Sequence, residues 1–176
     1  MVLKEVSFLR VLKKIITAER SPLKVDLKAA ILGFIGGFIV IFSLIILTEK
    51  TEWNWIMAPF GASCVLAFGV WDAPLSQPRN IIGGHFISTF IGLACQTLFG
   101  NSAASIAVAV GLAIMCMMLT KTTHPPAGAD PLVVMMSQTG WNFLFTPVLV
   151  GSLVIVIIAL IINNLNDNRK YPTFWL

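Results

Sequence analysis

The chain has 176 residues, of which 57% are hydrophobic and 11% are charged, with a formal net charge of +4. Since a soluble domain usually carries about 25% charged residues, this composition excludes an ordinary soluble fold and indicates that lipid surrounds most of the chain. Five apolar stretches approach the roughly 20 residues that a helix needs to cross a membrane. They cover residues 29–47, 55–71, 81–99, 102–119 and 143–162, and they predict an all-α, polytopic helical bundle.

Residues 1–28 precede the first apolar stretch and form a basic lead with seven Lys or Arg residues against three acids. Apolar residues recur every three or four positions from Leu3 to Ile16, which predicts an amphipathic helix on an anionic lipid surface, interrupted at Ser21 and Pro22. We expect anionic lipid, and no nucleic acid, as the partner of this lead. Its cations also predict a cytoplasmic N-terminus in a multi-pass protein of the inner (plasma) membrane. No signal peptide is expected, because no small-x-small cleavage site follows the first apolar residues.

Later cations indicate the number of passes. They fall at three turns, at Arg79, at Lys121, and at Arg169 with Lys170. All three turns can be cytoplasmic only if residues 58–70 and the stretch after His124 both cross the membrane, which predicts six passes. Residues 125–136 are too few to span a bilayer unaided at 1.5 Å per residue, so a re-entrant segment is the alternative. The transmembrane domain is expected at residues 29–163, followed by a short polar tail at residues 164–176.

A short repeat divides the membrane domain. The sequence Pro59-Phe60-Gly61-Ala62-Ser63 is echoed 67 residues later by Pro126-Ala127-Gly128-Ala129-Asp130. One long apolar segment precedes and another follows each copy, which predicts two three-segment units in an inverted repeat. Proline is tolerated in the first helical turn, so each copy predicts the start of a short, broken helix. Unpaired N–H groups at such a start could bind an anion, or the small residues could simply permit close helix packing.

Polar residues flank both elements. The segment before the second element contains Lys121, three threonines and His124, whose imidazole could carry a proton with a substrate or could only position a tight turn. A carboxylate at Asp130 would mark a proton path or make a structural pair. Between the units, Arg79 and Asn80 offer charged and polar donors, and His85 lies inside the next apolar stretch. Their alternative roles are a membrane-surface anchor and a hydrogen bond between helices.

These residues together resemble the HPP family of integral membrane proteins. The resemblance covers about residues 28–163 and rests on four blocks: Pro59-Phe60-Gly61-Ala62-Ser63, Gln77-Pro78-Arg79-Asn80, Gly83-Gly84-His85 and Thr123-His124-Pro125-Pro126-Ala127-Gly128-Ala129. Some family members look like nitrite transporters, so the resemblance implies nitrite or a similar small anion as cargo. It also implies that the four blocks form the site. The family is usually described with fewer than six crossings.

We therefore expect an anion transporter or channel, possessing no catalytic residue, cofactor or metal site, that forms a homo-oligomer. The candidate anion-binding residues are Gly61, Ala62, Ser63, Arg79, Asn80, Lys121, Thr123, Ala127, Gly128 and Ala129, and the candidate proton-coupling residues are His85, His124 and Asp130. The three cysteines lie in apolar stretches without metal-type spacing. A sensory or structural membrane subunit is one alternative. A membrane-embedded enzyme is another, although no Ser-His-Asp or His-rich spacing favours it.

Overall fold

The computed structural model describes residues 13–22 and 24–175. Residues 1–12 and 23, which carry most of the predicted amphipathic lead, lie outside the described residues. The described part of the lead is helical at residues 13–15 and has no regular structure at residues 16–22 and 24–26. Every regular element in the described part of the chain is a helix, which confirms the predicted all-α fold.

The first long helix, α1, runs from Leu27 to Lys50. Asp26 caps its start, because the carboxylate accepts a hydrogen bond from the Ala29 N–H at 3.1 Å. Only Gly36, Val40 and Leu44 of this helix are buried against the rest of the protein. Most other residues of α1 are apolar and are exposed or half-buried, as expected for a helix whose other side faces lipid.

Five further helices follow, and several begin or end in a short turn of different pitch. They are α2, Ala58–Cys64, continued by a π-helical turn at Val65–Gly69; α3, Pro78–Phe99; α4, Ala103–Leu119; α5, Asp130–Met136, preceded by a 3-10 turn at Pro125–Ala129; and α6, Val150–Asn164. Within the described ranges, three segments are long and apolar enough to cross a membrane: Leu27–Lys50, Pro78–Phe99 and Trp141–Asn164. The last of these includes α6 and the turns before it.

Both Pro-x-Gly-Ala elements begin short helices, as predicted from their prolines. Proline occupies the first turn of α2 and of the 3-10 turn before α5. At 1.5 Å per residue the seven residues of α5 extend only about 10 Å, far less than a bilayer. The order long helix, broken helix, long helix therefore occurs twice along the chain. The inverted symmetry of the two units and the six-pass topology stay predictions.

Glycines allow the helices around α2 to approach closely. A Cβ atom at Gly36 of α1 would overlap with the ring of Phe68, and one at Gly151 of α6 would overlap with the ring of Phe60. Both phenylalanines are fully buried. The broken segment at residues 58–69 is thus held between α1 and α6 by two aromatic rings that occupy glycine-lined space.

The polar tail after α6 folds back onto the loop between α2 and α3. Tyr171 is buried, and its hydroxyl donates to the Ser76 carbonyl at 2.8 Å. The Thr173 N–H donates to Gln77 Oε1, also at 2.8 Å. Arg169 donates to the Phe68 carbonyl at 3.0 Å and lies over the ring of Trp71. The tail therefore fixes the loop at residues 70–77 in place.

Candidate functional site

Four polar side chains from four separate segments meet inside the helical bundle. Ser63 is on α2, His85 on α3, His124 directly before the 3-10 turn, and Asp130 at the start of α5. Each of them has 0% of its surface exposed. We refer to these four residues as the polar cluster. Buried polar groups inside a membrane protein are costly, so their concentration at one place indicates function.

The glycines of α3 allow the segment that carries His124 to cross this helix at close range. A Cβ atom at Gly84 would lie 2.6 Å from His124 Cβ and 2.9 Å from the Thr122 carbonyl oxygen. A Cβ atom at Gly83 would lie 2.8 Å from Thr122 Cγ2. Real carbon atoms do not approach so closely, so side chains at these positions would push the segment away. The Gly83-Gly84-His85 sequence thus positions both histidines.

A continuous line of hydrogen bonds connects the polar cluster. Ser63 Oγ lies 2.8 Å from His85 Nε2 and 2.9 Å from His124 Nε2. At one end, His85 Nδ1 lies 2.8 Å from Asp130 Oδ2. At the other end, His124 Nδ1 donates to the Leu75 carbonyl at 2.8 Å. The serine hydroxyl therefore joins two imidazoles, which in turn join a carboxyl group and a backbone carbonyl.

Asp130 has an unequal environment at its two oxygens. Oδ2 faces His85 and also accepts from the Thr89 hydroxyl at 3.3 Å. Oδ1 is buried and has no hydrogen-bond partner among the described residues. The carboxyl group is thus paired through one oxygen. This geometry is compatible with both predicted roles of Asp130, a proton path and a structural pair.

Predicted anion-binding residues lie next to the segment before His124. Arg79 Nη2 donates to the Thr120 carbonyl and Asn80 Nδ2 to the Thr123 carbonyl, each at 2.9 Å. Lys121 is exposed and has a positive φ of 58°, which marks a tight turn. The side-chain oxygen of Asn80 is buried without a partner among the residues described here. Arg79, Asn80, Lys121 and Thr123 therefore form one group at one end of the polar cluster.

The small residues of the two repeated elements occupy different surroundings. Gly61 and Ala62 are exposed, and a Cβ atom at Gly61 would meet no atom within 4 Å. Because Gly61 and Ala62 come after the first turn of α2, their backbone N–H groups are already bonded within the helix. In the second element, Ala127 is buried and its carbonyl accepts from the Ser88 hydroxyl at 2.6 Å. Gly128 and Ala129 are half-buried.

Sequence reasoning missed two side chains and one relationship. Ser88 and Thr89 are fully buried on α3 and support the second element, although neither was a candidate. Their spacing of three and four residues after His85 places them on the same helical face, and this signal was available. The Ser-His-Asp contact was not foreseen, because Ser63, His85 and Asp130 are separated by 22 and 45 residues.

The described residues contain no group of three or more His, Cys, Asp or Glu residues placed to hold a metal ion. Cys64, Cys95 and Cys116 are free thiols on three different helices. The hydrogen bonds of the polar cluster allow hydrogen-bond donation, hydrogen-bond acceptance and proton transfer.

Comparison with known proteins locates the chain among membrane proteins. Residues 22–172 match the family model described as HPP, transmembrane region. Two curated transmembrane proteins of Dictyostelium discoideum are similar to it. One is 38% identical over 96% of this chain, and the other is 39% identical over 68% of it. The chain spans 58% and 45% of their respective lengths. No solved structure matches the chain.

Proposed function

The chain belongs to the HPP transmembrane family, and we propose that it is an integral membrane transporter or channel for a small monovalent anion such as nitrite. The observation that carries this proposal is the polar cluster, in which two imidazoles and a carboxyl group are fully buried in the helical bundle. Ionisable side chains inside a membrane protein usually line the route of an ion or a proton. The choice of nitrite rests on the family resemblance.

The anion would first meet the group formed by Arg79, Asn80, Lys121 and Thr123. An arginine has five N–H donors, and Arg79 holds the Thr120 carbonyl through Nη2. Its charge and the exposed ammonium of Lys121 attract a small anion to this end of the polar cluster. Beyond them, we propose that the anion contacts Ser63 and the backbone of Ala127-Gly128-Ala129. Gly61 and Ala62 are proposed as further contacts because they belong to the first copy of the repeat.

Proton coupling is the second part of the proposal. His85, His124 and Asp130 are joined through Ser63 by hydrogen bonds of 2.8 to 2.9 Å. We propose that a proton passes along these hydrogen bonds as the anion crosses the membrane. A proton that moves together with a monovalent anion would also balance its charge, so no net charge would cross the membrane.

We further propose the setting in which the protein works. The basic lead, where it is described, suits a cytoplasmic N-terminus at the plasma membrane, bound to anionic lipid. The outer face of α1 exposes Phe34, Phe38 and Phe42, which stack in a row beside a groove that Gly33 and Gly37 line. A small-residue groove next to an aromatic ridge suits a homo-oligomer of two or three copies.

Nitrite uptake into proteoliposomes tests the proposal. Wild-type protein is expected to take up nitrite faster than protein-free vesicles, which account for nitrous acid that crosses lipid unaided. Both Arg79→Ala and His124→Ala are expected to lower the protein-dependent rate about tenfold or more, because each removes a charged or proton-transferring group. A pH gradient that accelerates the wild type should leave His124→Ala unaffected.

Gln138→Ala is a suitable control, because this exposed residue lies in the turn after α5, outside the polar cluster. It should transport at the wild-type rate. If correctly folded wild-type protein passes no nitrite, nitrate or chloride under any gradient, transport is refuted, and a sensory or structural subunit becomes the better account.

A further inference from the structure

Hydrogen-bond chemistry constrains the protons of the polar cluster. The Leu75 carbonyl can only accept, so His124 must donate to it through Nδ1. A neutral His124 therefore presents an unprotonated Nε2 to Ser63 Oγ, 2.9 Å away. The Ser63 hydroxyl then donates to His124, and its oxygen accepts a hydrogen bond from His85 Nε2–H at 2.8 Å. Ser63 Oγ also lies 3.2 Å from the Pro59 carbonyl of its own helix. Donation to that carbonyl would require both imidazoles to donate to Ser63 and, with the proton between His85 and Asp130, would leave the buried cluster with a costly net positive charge.

In this first arrangement His85 shares one proton with Asp130. The proton lies between His85 Nδ1 and Asp130 Oδ2, which are 2.8 Å apart, and belongs either to the imidazole or to the carboxyl group. The two residues are accordingly an ion pair or a neutral pair. Either way the polar cluster has no net charge, and this is favoured because an uncompensated charge is very costly in a fully buried site.

A second arrangement satisfies the same contacts with the same number of protons. Here His124 carries hydrogen on both ring nitrogens and donates through Nε2 to Ser63. The Ser63 hydroxyl donates to an unprotonated Nε2 of His85, and His85 Nδ1–H donates to the Asp130 carboxylate. The net charge is again zero. The two arrangements differ only by two proton moves, from His124 Nε2 to Ser63 Oγ and from Ser63 Oγ to His85 Nε2.

We propose that Ser63 is a proton-relay residue, which passes protons between His124 and the His85–Asp130 pair by exchanging its hydroxyl hydrogen. This proposal rests on the proposed function and names the route of its coupling proton. The hydrogen bonds that the route needs are already formed, so no side chain has to move for the transfer. Asp130 Oδ1 is buried and has no hydrogen-bond partner in the described part of the chain, so it gives the route a proton acceptor at its far end.

Few other titratable or charged groups approach this route from the packed elements. Arg79 of α3 contacts the Thr120 carbonyl, and Lys121 of the turn after α4 is exposed. Cys64 of α2 follows Ser63 in sequence and is a buried free thiol. The ring of Phe60 packs edge-on against His85 with centroids 5.3 Å apart. Proton exchange is thus directed along the line of hydrogen bonds.

The same order of residues occurs in serine hydrolases, where a histidine removes the serine proton during attack on a carbonyl group. In this protein, however, the serine oxygen contacts two imidazoles, with His124 Nε2 at 2.9 Å in addition to His85, whereas the hydrolase arrangement has one histidine. A hydroxyl placed between two imidazoles suits proton transfer between them.

The transport test compares Ser63→Ala with Ser88→Ala while nitrite entry and internal pH are recorded together. Ser88 is a matched control, because it is fully buried one turn from His85 but donates to the Ala127 carbonyl rather than to a titratable group. Ser63→Ala is expected to lower the number of protons that enter per nitrite about tenfold or more. Ser88→Ala should keep the wild-type ratio. A wild-type ratio in Ser63→Ala would overturn the relay.

A second test does not depend on transport. The chain has two histidines, so nitrogen-15 spectra of histidine-labelled protein in lipid contain two imidazoles. The relay predicts that their two Nε2 atoms share one hydrogen between them and that Ser63→Ala shifts both Nε2 signals, even if no nitrite flux is found. Hydrogen on both Nε2 atoms at once would overturn it, and so would labelling of Ser63 by a fluorophosphonate probe.

Discussion

Asp130 illustrates how the environment of one residue decides its chemistry. A free carboxylate would repel an anion, and in the sequence it stands beside residues proposed to bind one. In the structure its Oδ2 faces His85 at 2.8 Å and the Thr89 hydroxyl at 3.3 Å. In the arrangement in which the pair shares its proton it carries no net charge, so Asp130 would then not oppose the proposed entry of an anion. It supplies the acceptor that keeps His85 in position.

Two substitutions separate the structural and chemical roles of Asp130. The amide of Asp130→Asn can donate to His85 Nδ1 as a protonated carboxyl group does, so we expect a loss of about 1 kcal/mol or less. Asp130→Ala leaves a buried imidazole nitrogen unpaired and should cost about 3 kcal/mol. Thermal unfolding in detergent measures both, with the exposed Asp167→Ala as control. Equal losses for the two variants would contradict the pairing.

At the scale of elements, α3 determines where the segment around His124 lies. Its glycines face Thr122, His124 and Pro131, and a Cβ atom at Gly92 would lie 2.9 Å from Pro131 Cα. The glycine face of α3 therefore has no side chains that would keep the second broken element at a distance, and this element packs closely against it. Close packing through small residues is a common source of stability between helices in membranes.

Gly84→Ala should displace the segment that carries His124. The added methyl group would lie 2.6 Å from His124 Cβ, so we expect a destabilisation of about 1 to 3 kcal/mol and a slower nitrite uptake. Gly111→Ala is the matched control, because a Cβ atom in the middle of α4 meets nothing within 4 Å. Unfolding temperatures and uptake rates measure both. A Gly84→Ala variant that unfolds and transports like the wild type would refute the packing argument.

The tail after α6 connects the far end of the chain to the polar cluster through one loop. Tyr171 holds the Ser76 carbonyl, and the neighbouring Leu75 carbonyl holds His124. Burial raises the pKa of the Tyr171 phenol above its ordinary value. The folded state consequently favours the neutral phenol. Its contribution to stability is complete below the unfolded pKa of about 10 and is lost as pH rises through the folded pKa.

Tyr171 is the single tyrosine of the chain, so tyrosinate absorbance reports it alone. We expect its titration midpoint in folded protein to lie above the ordinary value of about 10. Tyr171→Phe should cost about 1 kcal/mol near neutral pH by removing the hydrogen bond to Ser76. The variant should also lose less stability than the wild type at strongly alkaline pH. A midpoint at the ordinary value would show that the tail does not dock on the loop.

For the whole molecule, the sequence predicts which segments are helical better than it predicts how they meet. The apolar stretch at residues 29–47 becomes Leu27–Lys50, since a backbone in lipid must satisfy its own polar groups. Prolines predict both broken helices for a local reason. The stretch at residues 143–162 is less regular than expected, because Thr146 has non-helical dihedral angles before Pro147.

The site depends on contacts that local patterns do not contain. Helical periodicity shows that His85, Ser88 and Thr89 share a face, but it does not show which segment that face meets. The pairing of His85 with Asp130 and the bridge through Ser63 require the packing of α2, α3 and α5. Three residues of the polar cluster, Ser63, His85 and His124, lie in the blocks that carry the family resemblance, whereas the line of hydrogen bonds comes from the three-dimensional arrangement.

We propose that the polar cluster serves the passage of a small anion. The most direct measurement is nitrite entry into proteoliposomes under an inward proton gradient, compared with entry without a gradient and with protein-free vesicles. We expect protein-dependent entry that the gradient accelerates. Entry that equals the protein-free rate under both conditions, with correctly folded protein in the vesicles, would contradict it.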